Sequence, residues 1–184
     1  PYAGGQVARG ARIGVLGNQD MMETPFSATG YTEQAIRNQQ AESIADVMAN
    51  DPSVRSGYGF GNFSELFVVR GFPLAMEDVS MDGLYGTTPR QIANIDAYER
   101  VEVFRGASAF VNGIPPGSTG TGGTINLVPK RAEDTPITSL TGKYGMTSEF
   151  GGHADVGRRF GADNAFGMRV NLSSRQGETA IDDE

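Results

Sequence analysis

Between residues 137 and 173 apolar and polar side chains alternate with a period of two, in three successive segments. In Phe166-Gly167-Met168-Arg169-Val170-Asn171-Leu172-Ser173, one face carries Phe, Met, Val and Leu, and the other Gly, Arg, Asn and Ser. Phe150, Gly152, Ala154 and Val156 alternate in the same way with Gly151, His153, Asp155 and Gly157. Leu140, Tyr144 and Met146 share a face opposite Ser139, Thr141 and Lys143. Turn-like breaks fall at Thr147-Ser148 and at Gly161-Ala162-Asp163-Asn164. This period fits antiparallel strands of about ten residues with one apolar face. Such a face needs a cover. Either a second protein layer supplies it, as in a soluble meander, or lipid does, on the outside of a transmembrane β-barrel. The alternation alone leaves both open.

The chain before this region reads differently. Gly makes up 26 of 184 residues, about twice the usual ~7%, which favours turns and short strands over helix packing. Pro1 to Arg12 is rich in Gly and Ala and is expected to pack little. Ile13-Gly14-Val15-Leu16 reads as a short strand ending at Gly17-Asn18, and Phe26 to Tyr31 as extended. Thr32 is placed to cap a helix over Glu33 to Gln39, with Glu33 in the first turn, where negative charge suits the dipole. Ile44, Val47 and Met48 define the buried face of a second helix that stops before Pro52. Strand and loop follow, with one helical turn near Ile95 to Tyr98. The fold class is therefore an α+β domain of short mixed strands and small helices, followed by antiparallel strands. Composition changes at Ala132-Glu133-Asp134-Thr135-Pro136, giving an N-terminal extension over 1–7, a domain over 8–133 and three strands over 134–184.

A net charge of −7 and a pI near 4.7 argue against a nucleic-acid partner. There is no Cys, and His153 is the single His, so no thiolate nucleophile, Cys-ligated metal or His-based catalytic set is available. Glu77-Asp78 and Asp182-Asp183-Glu184 lack the ligand spacing of a calcium loop and read as solvated. The chain is not expected to be an enzyme, and no metal site or cofactor is implied. No run of 18 apolar residues provides a spanning helix, and no signal peptide is present, as in a mature or trimmed chain. Gly113-Ile114-Pro115-Pro116-Gly117-Ser118-Thr119-Gly120-Thr121-Gly122-Gly123 is rich in glycine, but no Lys-Ser/Thr and no helix follow, so it reads as tight turns.

Two β-type runs end in the same dipeptide: Leu66-Phe67-Val68-Val69-Arg70-Gly71 and Val101-Glu102-Val103-Phe104-Arg105-Gly106. With Met81-Asp82-Gly83, Glu99-Arg100 and Gly122-Gly123-Thr124-Ile125-Asn126, in this order and spacing, they resemble the plug domain of TonB-dependent outer-membrane receptors, most closely the ferric-siderophore type. The resemblance runs from about Gly10 to the end of the chain. It implies that residues 134–184 are the first strands of a transmembrane barrel of roughly 22 strands around a plugged lumen. Three strands close nothing, and an open edge in lipid leaves backbone groups unsatisfied, so the chain is expected to be a fragment.

The resemblance further implies a bacterial outer-membrane receptor that binds a ferric siderophore and imports it to the periplasm with TonB-supplied energy. Its partners would be the siderophore, TonB and outer-membrane lipid. TonB would act through an N-terminal box, and Pro1 to Arg9 contains none. Arg70 and Arg105 match the plug arginines that pair with glutamates of the inner barrel wall; their planar forks suit two-point carboxylate binding. Ligand contacts are expected from Tyr58, Phe60, Phe72, Tyr85 and Arg90, on three loops unusually rich in aromatics. Phe60, Phe63 and Phe72 equally suit the core of a small domain. Neutral aromatics outnumber arginine there, which points to a neutral hydroxamate-type chelate over a charged catecholate. A soluble periplasmic plug-like binding module, or an importer of haem or cobalamin, remains the alternative.

Overall fold

The computed structural model describes residues 5–59, 61–145 and 149–177. The chain forms two compact units, Pro1–Pro129 and Lys130–Glu184.

The first unit is built on a four-stranded sheet in the order β3-β8-β9-β7. Its strands are β3 (Ser27–Thr32), β7 (Ser80–Met81), β8 (Tyr98–Arg105) and β9 (Gly123–Pro129). β8 is antiparallel to both β3 and β9, and β7 is parallel to β9. On one face Tyr31, Val101, Val103, Ile125 and Leu127 meet α1 (Glu33–Gln39) and α2 (Ile44–Met48) in the main core. Both helices are locally encoded. The Thr32 hydroxyl accepts the Ala35 N–H at 3.3 Å, and Ser43 and Asp46 form a reciprocal capping box at α2. Pro52 follows just beyond α2, as the sequence predicts.

The other face is covered by an N-terminal hairpin of β1 (Gly10–Arg12) and β2 (Asn18–Asp20), which brings Ala11 and Ile13 onto Phe104. The expected strand over residues 13–16 is instead the loop of this hairpin, with a 3-10 turn at Gly14–Leu16. Gly14 has φ +42°, and a Cβ there would sit 2.1 Å from the Val111 carbonyl oxygen, so the chain turns where periodicity suggested it would run straight. The N-terminal residues also pack better than composition suggested. Ala8 donates its N–H to the Gly30 carbonyl at 2.7 Å, Val7 bridges Tyr31, and Ala8 and Ala11 are buried. Their small side chains let backbone lie directly on the sheet.

A second, three-stranded sheet joins β4 (Val54–Ser56), β5 (Leu66–Val69) and β6 (Phe72–Ala75). Arg70-Gly71 is the two-residue turn between β5 and β6; both residues have positive φ, +51° and +90°. A short helix, α3 (Ala109–Asn112), precedes the long glycine loop.

Gly122 and Gly123 are required sterically. A Cβ on Gly122 would lie 2.1 Å from the Val69 carbonyl oxygen, and one on Gly123 2.1 Å from that of Phe104. The start of β9 thus passes the ends of β5 and β8 at backbone contact distance.

In the second unit β10 (Ile137–Tyr144), β11 (Phe150–Phe160) and β12 (Phe166–Gln176) form an antiparallel meander. The register aligns Leu140, Ala154 and Leu172 on one face, and Ile137, Gly157 and Arg169 on the other. Leu140, Phe166 and Leu172 are each at least 65% exposed, so among the described residues this unit has no layer of its own over the apolar face. On the opposite face Asp155, 1% exposed, receives two hydrogen bonds from Arg169, at 2.8 and 2.7 Å, and one from Lys130 at 3.4 Å. Arg169 also donates to the Arg131 carbonyl at 2.9 Å. The linking segment is thereby clamped to the polar face. His153 lies on that face beside Asn171, 3.2 Å away. The break expected at Thr147-Ser148, together with Met146, lies outside the described residues.

Gly123→Ala is expected to destabilise the first unit by roughly 2–4 kcal/mol through backbone overlap and strain. Gly59→Ala, with open space around it and ordinary φ, is expected to stay within about 0.5 kcal/mol. Hydrogen exchange across β8 and β9 in a full-length protein carrying each change would measure the difference.

Candidate functional site

The two Arg-Gly corners lie side by side. The Arg70 guanidinium rests over Gly106, with Nη1 3.5 Å from the position a Cβ would take there. The Arg70 side chain makes no hydrogen bond or ion pair among the described residues and is exposed. Arg105 is held quite differently. Nε donates to Ser53 Oγ at 3.1 Å, Nη1 to Ser27 Oγ at 3.2 Å, and Nη2 to Thr29 Oγ1 at 2.9 Å and to the Asp51 carboxylate. Of the five N–H donors of a guanidinium, four are engaged within the plug.

Asp51 is fully buried. Burial would raise its pKa, but the Ser53 hydroxyl and N–H, with Arg105, hold it below the ordinary carboxylate range. Tyr31, buried and 3.4 Å from the same carboxylate, is pushed up to about 12.

A second polar node sits between the sheet and the N-terminal hairpin. Glu102, 0% exposed, accepts from the Arg12 N–H at 3.1 Å, Arg100 Nε at 3.1 Å and Asn126 Nδ2 at 2.9 Å. Asn126 Oδ1 accepts from Ser80 Oγ at 3.0 Å and the Gly83 N–H at 2.9 Å. Burial raises the Glu102 pKa, and Asn126, Arg100 and Arg12 offset part of that. Arg12 reaches Asp82 at 3.2 Å in the Asp82-Gly83 turn. The side chains on the second face of β8, which alternation would send to solvent, are the buried anchor of the hairpin.

The residues expected to meet a ligand are dispersed: Tyr58 lies between β4 and β5, Tyr85 and Arg90 lie between β7 and β8, and Phe72, expected on a loop, begins strand β6. Arg90 lies over the Phe63 ring, 5.8 Å from its centroid, and 3.9 Å from Glu77. Phe63, Tyr58 and Phe72 are all exposed, against the reading of Phe63 and Phe72 as core. Phe72 stands beside Gly122. Tyr85 is half-buried next to Gly113; its hydroxyl is turned inward near Thr124 and Asp78, and burial raises its pKa. It presents a ring edge and keeps its O–H inside. Phe60 lies outside the described residues. Among the described residues no hydrogen bond or ring contact joins Tyr58, Phe72, Tyr85 and Arg90 to one another. Asp78, read from sequence as solvated, is buried and accepts the Gly117 N–H at 2.7 Å, pinning the glycine loop. The acidic cluster at residues 182–184 lies outside the described residues. No group of His, Cys, Asp and Glu able to hold a metal ion occurs among the described residues, and none of their helices is long and apolar enough to cross a membrane.

A small mixed sheet with paired Arg-Gly corners, followed by an antiparallel meander whose apolar face is exposed among the described residues, is the arrangement of a plug domain with antiparallel strands after it. Residues 20–124 match the TonB-dependent Receptor Plug Domain family, and the chain belongs to that family. It is 54% identical over its whole length to the ferrichrome receptor FcuA of Yersinia enterocolitica, covering 24% of that protein. It is 31% identical over 80% of its length to the ferric-pyoverdine M114 receptor PbuA of Pseudomonas sp. (strain M114), covering 18% of it. Among solved structures, BauA, the ferric preacinetobactin receptor of Acinetobacter baumannii, superposes with a TM-score of 0.91 at 44% identity, over 99% of this chain and 27% of that one. The chain thus spans about a quarter of the length of these two receptors, FcuA and BauA.

Glu102→Ala is expected to cost about 1–3 kcal/mol, because the Arg12 N–H and Asn126 Nδ2 lose a buried acceptor, while Arg100 keeps its pair with Glu99. The Arg12 amide should become one of the fastest-exchanging in the hairpin, which amide-resolved hydrogen exchange would register.

Proposed function

We propose that this chain is the plug and first barrel strands of a bacterial outer-membrane receptor that binds a ferric siderophore and imports it to the periplasm with energy supplied through TonB. The observation that carries this is the 54% identity to a ferrichrome receptor along the entire chain. The uncovered apolar face of β10–β12 supports it, since lipid is the cover such a face takes in a barrel. The same face speaks against a soluble module. The plug boundary proposed from sequence, residues 8–133, extends slightly past the contact division at Pro129.

In this reading Tyr58, Phe72, Arg90 and the ring of Tyr85 line the approach to the plug, and Phe60, two residues from Tyr58 in sequence, adds to them. Exposed aromatics offer apolar area to a bulky chelate, and Arg90, already engaged with Phe63, adds a cation for oxygen-rich ligands. The predominance of neutral rings favours a neutral hydroxamate-type chelate. Arg70 supplies the free fork for a carboxylate of a barrel wall. An arginine at φ +51° costs about 1–2 kcal/mol of backbone strain, which fits a side chain needed outside the plug.

A full-length receptor carrying this sequence is expected to bind ferrichrome more tightly than a ferric catecholate, by isothermal titration or fluorescence quenching. Tyr58→Ala and Arg90→Ala should each weaken binding about 5–50-fold. Absence of binding to every ferric siderophore in the panel would overturn the reading. Arg70→Ala should leave binding intact and reduce uptake of labelled iron by whole cells.

A further inference from the structure

The turn Asp51-Pro52-Ser53, between α2 and β4, touches both Arg-Gly corners. On one side the Asp51 carboxylate takes the Ser53 N–H at 2.9 Å, the Ser53 hydroxyl at 2.6 Å, the Tyr31 hydroxyl at 3.4 Å and Arg105 Nη2. On the other side Ser53 passes the contact outward. Its Oγ accepts Arg105 Nε at 3.1 Å while donating to Asp51, and its carbonyl accepts the Arg70 N–H at 2.8 Å. Arg105 is therefore fixed through its side chain and Arg70 through its backbone, by residues two apart. Nothing in the family resemblance assigns a role to Asp51 or Ser53.

The electrostatics are as specific as the geometry. Asp51 and Arg105 neutralise each other, with Asp51 at 0% exposure and hydroxyls of Ser27, Thr29 and Ser53 completing the guanidinium shell. Arg70 has no such partner among the described residues. Two arginines in matching dipeptides thus amount to one net positive charge at the surface.

We infer that Asp51 is a positioning residue: as the internal counter-ion of Arg105 it keeps that arginine within the plug, and through Ser53 it sets where the single free guanidinium, Arg70, is presented. The inference rests on the receptor reading only for what Arg70 meets. The pairing itself is a property of the plug.

The test is a double-mutant cycle in a full-length receptor carrying this sequence, using Asp51→Asn, Arg105→Gln and both together. Hydrogen exchange of segments 66–76 and 98–107 is the primary readout, with uptake alongside. Each single change is expected to speed exchange at both corners at least about tenfold, the loss of a charged hydrogen bond. The double variant should be no looser than the worse single, because the two side chains act as a unit. The pH profile separates this from a merely structural defect. The folded-state pKa of Asp51 is lowered, so its contribution is present at neutral pH and is lost as pH falls through that value. Wild type should loosen in acid toward the Asp51→Asn level, and Asp51→Asn should lack that acid step. Ser53→Ala provides a milder second variant and should loosen both corners partially. Wild-type exchange in Asp51→Asn alongside a loosened Arg105→Gln would overturn the inference, placing the Arg105 anchor outside the plug; so would Ser53→Ala that disturbs neither corner. A receptor that shows the coupling and binds no ferric siderophore would support this inference while sinking the functional reading.

Discussion

The arrangement of the first unit depends on how closely β9 begins to the ends of two other strands. With hydrogen atoms in place of side chains at Gly122 and Gly123, the Val69 and Phe104 carbonyl oxygens can stand 2.1 Å from the vacant Cβ positions. That approach lets the Gly106 N–H reach the Gly122 carbonyl at 2.9 Å. It also draws the end of β5, from the smaller sheet, against the end of β8, from the larger one. Arg70 and Arg105 become neighbours as a consequence. A methyl group at either glycine would need the strand ends to separate, and the spacing of the two guanidinium groups would change with them. Gly122-Gly123-Thr124-Ile125-Asn126 is thus first a packing motif, and only through packing a functional one.

Immediately behind that junction the interior is polar. Glu102, Arg100, Asn126 and Ser80 occupy positions that an ordinary sheet would fill with aliphatics. Each is engaged, so the desolvation cost of burial is largely offset. Replacing such groups with apolar ones often leaves stability unchanged or higher, so stability alone does not explain them. Register does. Glu102 accepts the Arg12 N–H only when the hairpin lies in one position on the sheet, whereas Ala11 and Ile13 against Phe104 would tolerate a slide. Polar contacts of this kind can also be exchanged for water as a segment comes away.

What was legible in the sequence was local. Thr32 marks the start of α1, and the Ile44, Val47 and Met48 spacing with Pro52 beyond it marks α2, while the three alternating strands announce themselves by period alone. The misreadings share a cause. Ile13 to Leu16 has strand-like composition, but its course is set by Val111, far along the chain. Asp51 reads as an unremarkable residue before a proline, because its partner Arg105 lies 54 residues away; Arg12 and Glu102 are 90 apart. Asp78 looks solvated until the glycine loop folds over it. A carboxylate preceding a proline and a serine, with a tyrosine and an arginine on neighbouring strands, is a signal only after the strands are paired.

The paired dipeptides show the same limit from the other side. Arg70-Gly71 and Arg105-Gly106 look equivalent, and their resemblance to one family motif assigns them one role. The backbone separates them. Arg105 ends a strand in ordinary extended geometry, facing a carboxylate and three hydroxyls. Arg70 occupies the first position of a tight hairpin turn, in a left-handed conformation that Asn, Asp or Gly adopts with less strain. A long cationic side chain gains nothing locally by standing there, since no group of its own domain receives it among the described residues. The strain is not offset by any hydrogen bond or ion pair of the Arg70 side chain among the described residues. The asymmetry is one of environment: one arginine closes the domain on itself, and the other stands exposed at its surface.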